Sequence, residues 1–109
     1  LDIWASWCSS CKSSFPWINE LSDKFKDRGL KVVTISIDES KDIADQFISR
    51  AKVNLLVGYD PKGTVPESYN VMSMPTSLLI DEHGVIISIY NGLTDSTKKS
   101  IEEEISKRL

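Results

Sequence analysis

The chain has 109 residues, 40% of them hydrophobic and 27% charged, with a formal net charge of −3. That size suits one domain with a modest core, and the slight acidity offers no footing for nucleic acid or an anionic membrane surface. No apolar run approaches the roughly 18 residues of a membrane span, so no membrane insertion is expected.

Residues 1–5 (LDIWA) read as the end of a buried strand. The chain opens inside this pattern without Met, so the expectation is a single domain over residues 1–109, truncated at its N-terminal end, with any targeting segment upstream. From Ser9 to Arg28 the spacing of Phe15, Ile18, Leu21 and Phe25 predicts a helix with one apolar face, bent at Pro16 and stopped by Gly29. KVVTISI (31–37) is β-branched and apolar enough for a strand buried on both faces. Ser40 suits the N-cap of a helix over 41–51 with Ile43, Phe47, Ile48 and Ala51 inward.

A short strand is expected at 54–59, weakened by Gly58, then a turn at Asp60-Pro61-Lys62-Gly63 and a short helix over 65–70. The apolar runs 76–81 and 85–90 flank Glu82-His83-Gly84, which signals a hairpin. Ile101, Ile105 and Leu109 form the inner stripe of a last helix over 95–109, with Glu102, Glu103 and Glu104 on its solvated face. Strands alternating with helices predict an α/β architecture, a parallel sheet finished by an antiparallel pair.

Both cysteines of the chain lie in Cys8-Ser9-Ser10-Cys11. Such a pair fits a dithiol redox centre, half of a zinc site, or a structural disulfide. A closed zinc site needs four ligands, and His83, in a turn, is the one other plausible soft ligand. A disulfide closing so short a loop contributes little stability. The redox reading is favoured.

The run Asp2-Ile3-Trp4-Ala5-Ser6-Trp7-Cys8-Ser9-Ser10-Cys11-Lys12, then Pro16, then Met74-Pro75-Thr76 before a strand, resembles the thioredoxin superfamily over essentially the whole chain. Within that superfamily the chain looks like the TlpA-like branch of thiol-disulfide proteins. FPWINEL (15–21), the helix-plus-strand segment 41–59 and MPTSLLIDEHGVI (74–86) carry that likeness. The resemblance implies a thioredoxin-like three-layer α/β/α sandwich whose mixed sheet ends in an antiparallel hairpin. Its sheet would be centred on the strand ending at Trp4, with the inserted strand at an edge. The chain departs from the pattern at Ser9-Ser10, where a proline is often found. It also departs at Ser14, where some TlpA-like reductases of cytochrome c maturation carry glutamate. Asp2 matches the buried aspartate of thioredoxin itself.

By this resemblance Cys8 is the nucleophile. At a helix N-terminus, unpaired N–H groups and the helix dipole favour its thiolate and bring its pKa below the free value of about 8.5. Cys11, one turn inside, resolves the mixed disulfide. Asp2, in an apolar strand, is the proton partner of Cys11, with a pKa raised toward neutrality. Pro75 is a cis proline facing the dithiol, and Met74 and Thr76 line a backbone edge for an extended substrate segment. Trp7 is a flat contact surface, while Trp4 and Trp17 pack inward. Ser14 is expected to be an exposed helix serine, and His83 and Glu39 to take no part in catalysis.

The activity implied is thiol-disulfide exchange with protein cysteines, as a reductase, without metal or organic cofactor beyond the Cys8–Cys11 disulfide. Its partners would be client proteins and an upstream electron-donor protein, acting on a monomer. The implied setting is periplasmic or membrane-anchored outside the cytoplasm, with a cytoplasmic one as the alternative. Two other activities are compatible with the dithiol: a peroxiredoxin-like thiol peroxidase and a non-enzymatic, redox-switched client-binding module.

Overall fold

The computed structural model describes residues 1–109. Five strands, β1 (Asp2–Trp4), β2 (Val33–Ser36), β3 (Leu56–Tyr59), β4 (Thr76–Ile80) and β5 (Ile86–Asn91), form one sheet in the order β3-β2-β1-β4-β5. Four helices flank it: α1 (Ser9–Phe25), α2 (Lys41–Ala51), α3 (Thr64–Ser68) and α4 (Asp95–Arg108). β1 pairs in parallel with β2 and antiparallel with β4, so the sheet changes character at its central strand. This is the mixed, helix-flanked sheet expected, with β1 central and β3 at an edge.

The β1-α1-β2 and β2-α2-β3 crossovers step in one direction along the sheet. Right-handed connections therefore put α1 and α2 on the same face. The core shows it. Trp4 projects from β1 between the two helices, its ring 4.9 Å from Phe15 of α1 and 5.0 Å from Phe47 of α2. The two phenylalanine rings lie 5.2 Å apart. Farther along α1, Leu21 and Phe25 pack with Ile101 and Ile105 of α4. Gly29 ends the first helical segment in a left-handed conformation (φ 105°), after a last turn, Lys26–Arg28, that tightens to a 3-10 helix.

Two expectations are corrected. Ile43 was expected inward but is 52% exposed. The stripe that packs is Ala44, Phe47, Ile48 and Ala51, at i, i+3, i+4 and i+7, and Ile43 sits one residue, about 100°, off it. In β2 the fully enclosed side chains are Thr34 and Ser36, with Val33 and Ile35 only half-buried. A buried hydroxyl needs a partner, and Thr34 finds one by donating to the Leu56 carbonyl of β3 at 3.0 Å.

Candidate active site

Cys8 and Cys11 are joined by a disulfide across the first turn of α1, with Cα atoms 5.3 Å apart. Cys8 is the N-cap. Its backbone is extended (φ −92°, ψ 107°) and its sulfur accepts the Cys11 N–H at 3.3 Å. One otherwise unpaired helix donor thus points at this sulfur, where a negative charge is favoured. Cys8 is half-buried and Cys11 completely buried, packed with Trp4, Phe15, Ile18 and Ala44. The two sulfurs therefore differ in access from solvent.

Asp2 is 3% exposed, in the strand whose far end leads to the dithiol. Oδ1 accepts the Ser77 hydroxyl at 3.0 Å, while Oδ2 has no protein hydrogen-bond partner. It borders an apolar cavity of about 310 Å³ lined by Trp17, Ile18, Leu78 and Ile101 among others. Loss of hydration in these surroundings pushes the carboxyl up to about 7, against the lowering effect of the Ser77 bond.

The Met74–Pro75 peptide bond is cis. Met74 and Pro75 line a hydroxyl-rich groove with Ser10, Ser13 and Ser14 of α1 and with Lys98 of α4. Met74 also packs against the same core cluster as Cys8. Trp7 stands out, 69% exposed, and Met72 is almost wholly exposed. Lys12 lies 6.0 Å from the centre of the Phe47 ring and is solvated.

Two residues sit differently from expectation. Thr76 was read as substrate-facing, but it is 1% exposed and paired on both sides, with Ile3 and Asn91. Its hydroxyl donates to the Ser73 carbonyl at 2.7 Å, so it shapes the loop before Pro75 rather than offering a surface. Ser14 was read as exposed but is buried, its hydroxyl donating to the Cys11 carbonyl at 3.0 Å. Its spacing from Cys11 and Ile18, three and four residues, was the available signal. A further link escaped sequence reasoning altogether: Ser6, before the dithiol, is bonded to Asp38, two residues beyond the end of β2. His83 and Glu39 are exposed.

No group of three or more His, Cys, Asp or Glu side chains is arranged to hold a metal ion. No helix is long and apolar enough to cross a membrane.

Comparison with known proteins agrees with this geometry. The chain is 32% identical over 107 residues to thiol-disulfide oxidoreductase ResA of Bacillus thuringiensis subsp. konkukian, covering 98% of this chain and 61% of that protein. It therefore spans less than two thirds of the length of the curated relatives it matches. Among solved structures, a Chlorobium tepidum protein described as thiol:disulfide interchange protein DsbE is 38% identical, with a TM-score of 0.93 over 97% of this chain and 75% of that one. The pneumococcal exposed lipoprotein thioredoxin of Streptococcus pneumoniae is 29% identical, with a TM-score of 0.76 over 97% and 81% of the two chains. The sequence model of the Redoxin family matches residues 1–105. With its thioredoxin-like fold and its paired cysteines at a helix start, the chain belongs to the Redoxin family.

Proposed function

We propose that this chain is a single thioredoxin-like domain of a thiol-disulfide oxidoreductase, working as a monomer that reduces disulfides of protein substrates outside the cytoplasm. The observation that carries the reading is the asymmetry of the dithiol, with Cys8 reachable at the N-cap of α1 and Cys11 buried one turn deeper. In the reduced protein the Cys8 thiolate attacks one sulfur of a client disulfide. The Cys8–client bond forms as the client S–S bond breaks, and the second client sulfur leaves as a thiolate. Cys11 then gives its proton to Asp2 and attacks the Cys8 sulfur. The Cys8–Cys11 disulfide forms and the remaining client sulfur leaves. The client gains two electrons, and a dithiol electron-donor protein restores the reduced pair.

Asp2 suits this task because a carboxyl with a pKa of about 7 takes up and returns a proton near neutral pH. Met74 supplies backbone for an extended client segment beside Pro75, and Trp7 packs against the client as a flat apolar surface. No metal or organic cofactor enters any step. The periplasmic or membrane-anchored setting is supported by the relative named as an exposed lipoprotein. The direction toward reduction rests on the likeness to TlpA-like reductases.

Reduction of insulin with dithiothreitol as donor tests the reading. Cys8→Ser is expected to abolish catalysed reduction, and Cys11→Ser to accumulate a mixed disulfide with insulin that dithiothreitol reverses. Turnover by Cys8→Ser at the wild-type rate would sink the proposal.

A further inference from the structure

The loop between β1 and α1 has to deliver Cys8 to the start of its helix. Where β1 ends, the Ile37 N–H donates to the Trp4 carbonyl at 3.0 Å, and within the loop the Cys8 N–H donates to the Ala5 carbonyl at 3.1 Å. Ser6 lies between these two bonds, and it is held from 32 residues away. Its amide lies 3.0 and 3.2 Å from the two oxygens of Asp38, and its hydroxyl donates to Oδ1 at 2.6 Å. The other side of the same carboxylate accepts the Ser36 hydroxyl at 2.7 Å, while the Ser36 oxygen accepts the Asp38 N–H at 3.2 Å.

Asp38 is 6% exposed, and Ser36 is 1% exposed at the end of β2. Burying a carboxylate is costly unless donors surround it, and here every donor comes from one of two places. One is the sheet, through Ser36; the other is the loop, through Ser6. Hydrogen bonds to an ionised group are about twice as strong as neutral ones. The carboxylate therefore ties a segment two residues before Cys8 to a rigid strand end. Nothing in the exchange chemistry uses Asp38 directly.

We propose that Asp38 is a positioning residue for the dithiol: its carboxylate clamps Ser6 to the end of β2 and so keeps Cys8 at the N-cap of α1. The proposal deepens the thiol-disulfide exchange reading and rests on it. With Ser6 released, the Trp7 and Cys8 backbone is freer, and the Cys8 sulfur spends less time against the helix N–H groups. Its thiolate loses stabilisation and its attack on a disulfide slows.

The test compares Asp38→Ala with Asp38→Asn. Both remove the charge, so the difference between them isolates the hydrogen bonds. Asn keeps an oxygen for the Ser6 hydroxyl and an amide for Ser36. Lys12 and Asp2 are common to all the variants and drop out of the comparison. In the reduced proteins, the ultraviolet absorbance of the Cys8 thiolate is followed against pH, and the rate of attack on a small aromatic disulfide is measured alongside. Asp38→Ala is expected to titrate at higher pH than Asp38→Asn and to react up to about tenfold more slowly, the loss of one neutral hydrogen bond.

Equal titrations and equal rates in the two variants overturn the clamp while leaving the exchange reading intact. A wild-type protein that fails to reduce protein disulfides overturns the exchange reading, and the Cys8 titration then still decides the clamp. If Asp38→Ala does not fold, Ser6→Ala, which deletes only the 2.6 Å bond, takes its place against wild type. A higher Cys8 midpoint supports the clamp and an unchanged one overturns it.

Discussion

Replacing Asp2 by Asn should change how the stability of the oxidised protein depends on pH. The carboxyl titrates at about 7 in the folded chain against an ordinary value of 3.8. Below 3.8 the group is protonated in both states, and its contribution is fully present. Between 3.8 and about 7 the unfolded chain has lost this proton while the folded chain keeps it, so stability falls as pH rises. Above about 7 both states are ionised and the loss is complete. Over that interval, at about 1.4 kcal/mol per pH unit, the loss is on the order of 4 kcal/mol.

Asn has nearly the same shape and still accepts the Ser77 hydroxyl, but it does not titrate. Urea unfolding of the disulfide-bonded proteins at pH 4 and pH 8 checks this, because titrating groups other than the Leu1 amine, which Asp2 influences, are common to both and cancel in the difference. The variant is expected to gain on wild type by about that amount between the two pH values. Ser77→Ala, which removes the bond that lowers the Asp2 pKa, should move the wild-type inflection to higher pH. Parallel stability curves for wild type and Asp2→Asn would refute the argument that burial holds this proton.

Phe15→Ala should cost about 3–5 kcal/mol in the same assay, because Phe15 is wholly buried between Trp4 and Phe47; a loss under about 1 kcal/mol would mean that the three rings do not form the core of this face. Hydrogen peroxide should be consumed slowly in stopped-flow measurements, since Cys8 is preceded by Ile3-Trp4-Ala5-Ser6-Trp7, without the threonine of a peroxidatic site. Rapid consumption that depends on Cys8 would favour the peroxidase instead.

Features set by neighbours in the chain were legible in the sequence. The helix over 41–51 matches its predicted limits, Gly29 stops the first helix with a left-handed φ, and the apolar runs around Glu82-His83-Gly84 pair as β4 and β5. Ile43 misled because periodicity locates an apolar stripe only to within a residue, and small Ala44 outcompetes it for the packed position. In the site, the spacing of Cys8 and Cys11 was enough to nominate the pair, while Asp2 was nominated by its apolar setting together with the resemblance to thioredoxin. Thr76 was misjudged because adjacency to Met74-Pro75 says nothing of which way a strand residue faces. Ser6 and Asp38 could not be linked in advance, since polar residues 32 positions apart carry no periodic signal. Register alone brings them together, through the pairing of Trp4 with Ser36.

The place of β1 bears on how the molecule comes to exist. Residues 2 and 3 form the middle of the sheet, but their antiparallel partners are residues 77 and 76. During synthesis, the central strand waits until residues 76 and 77 have emerged before both of its edges are covered. Pairings so distant in sequence form late. The two cysteines, a few residues beyond β1, emerge early and wait with it. They are therefore free thiols before the fold that governs their reactivity is closed. The order of assembly leaves this dithiol open to unplanned partners for longer than any other part of the site.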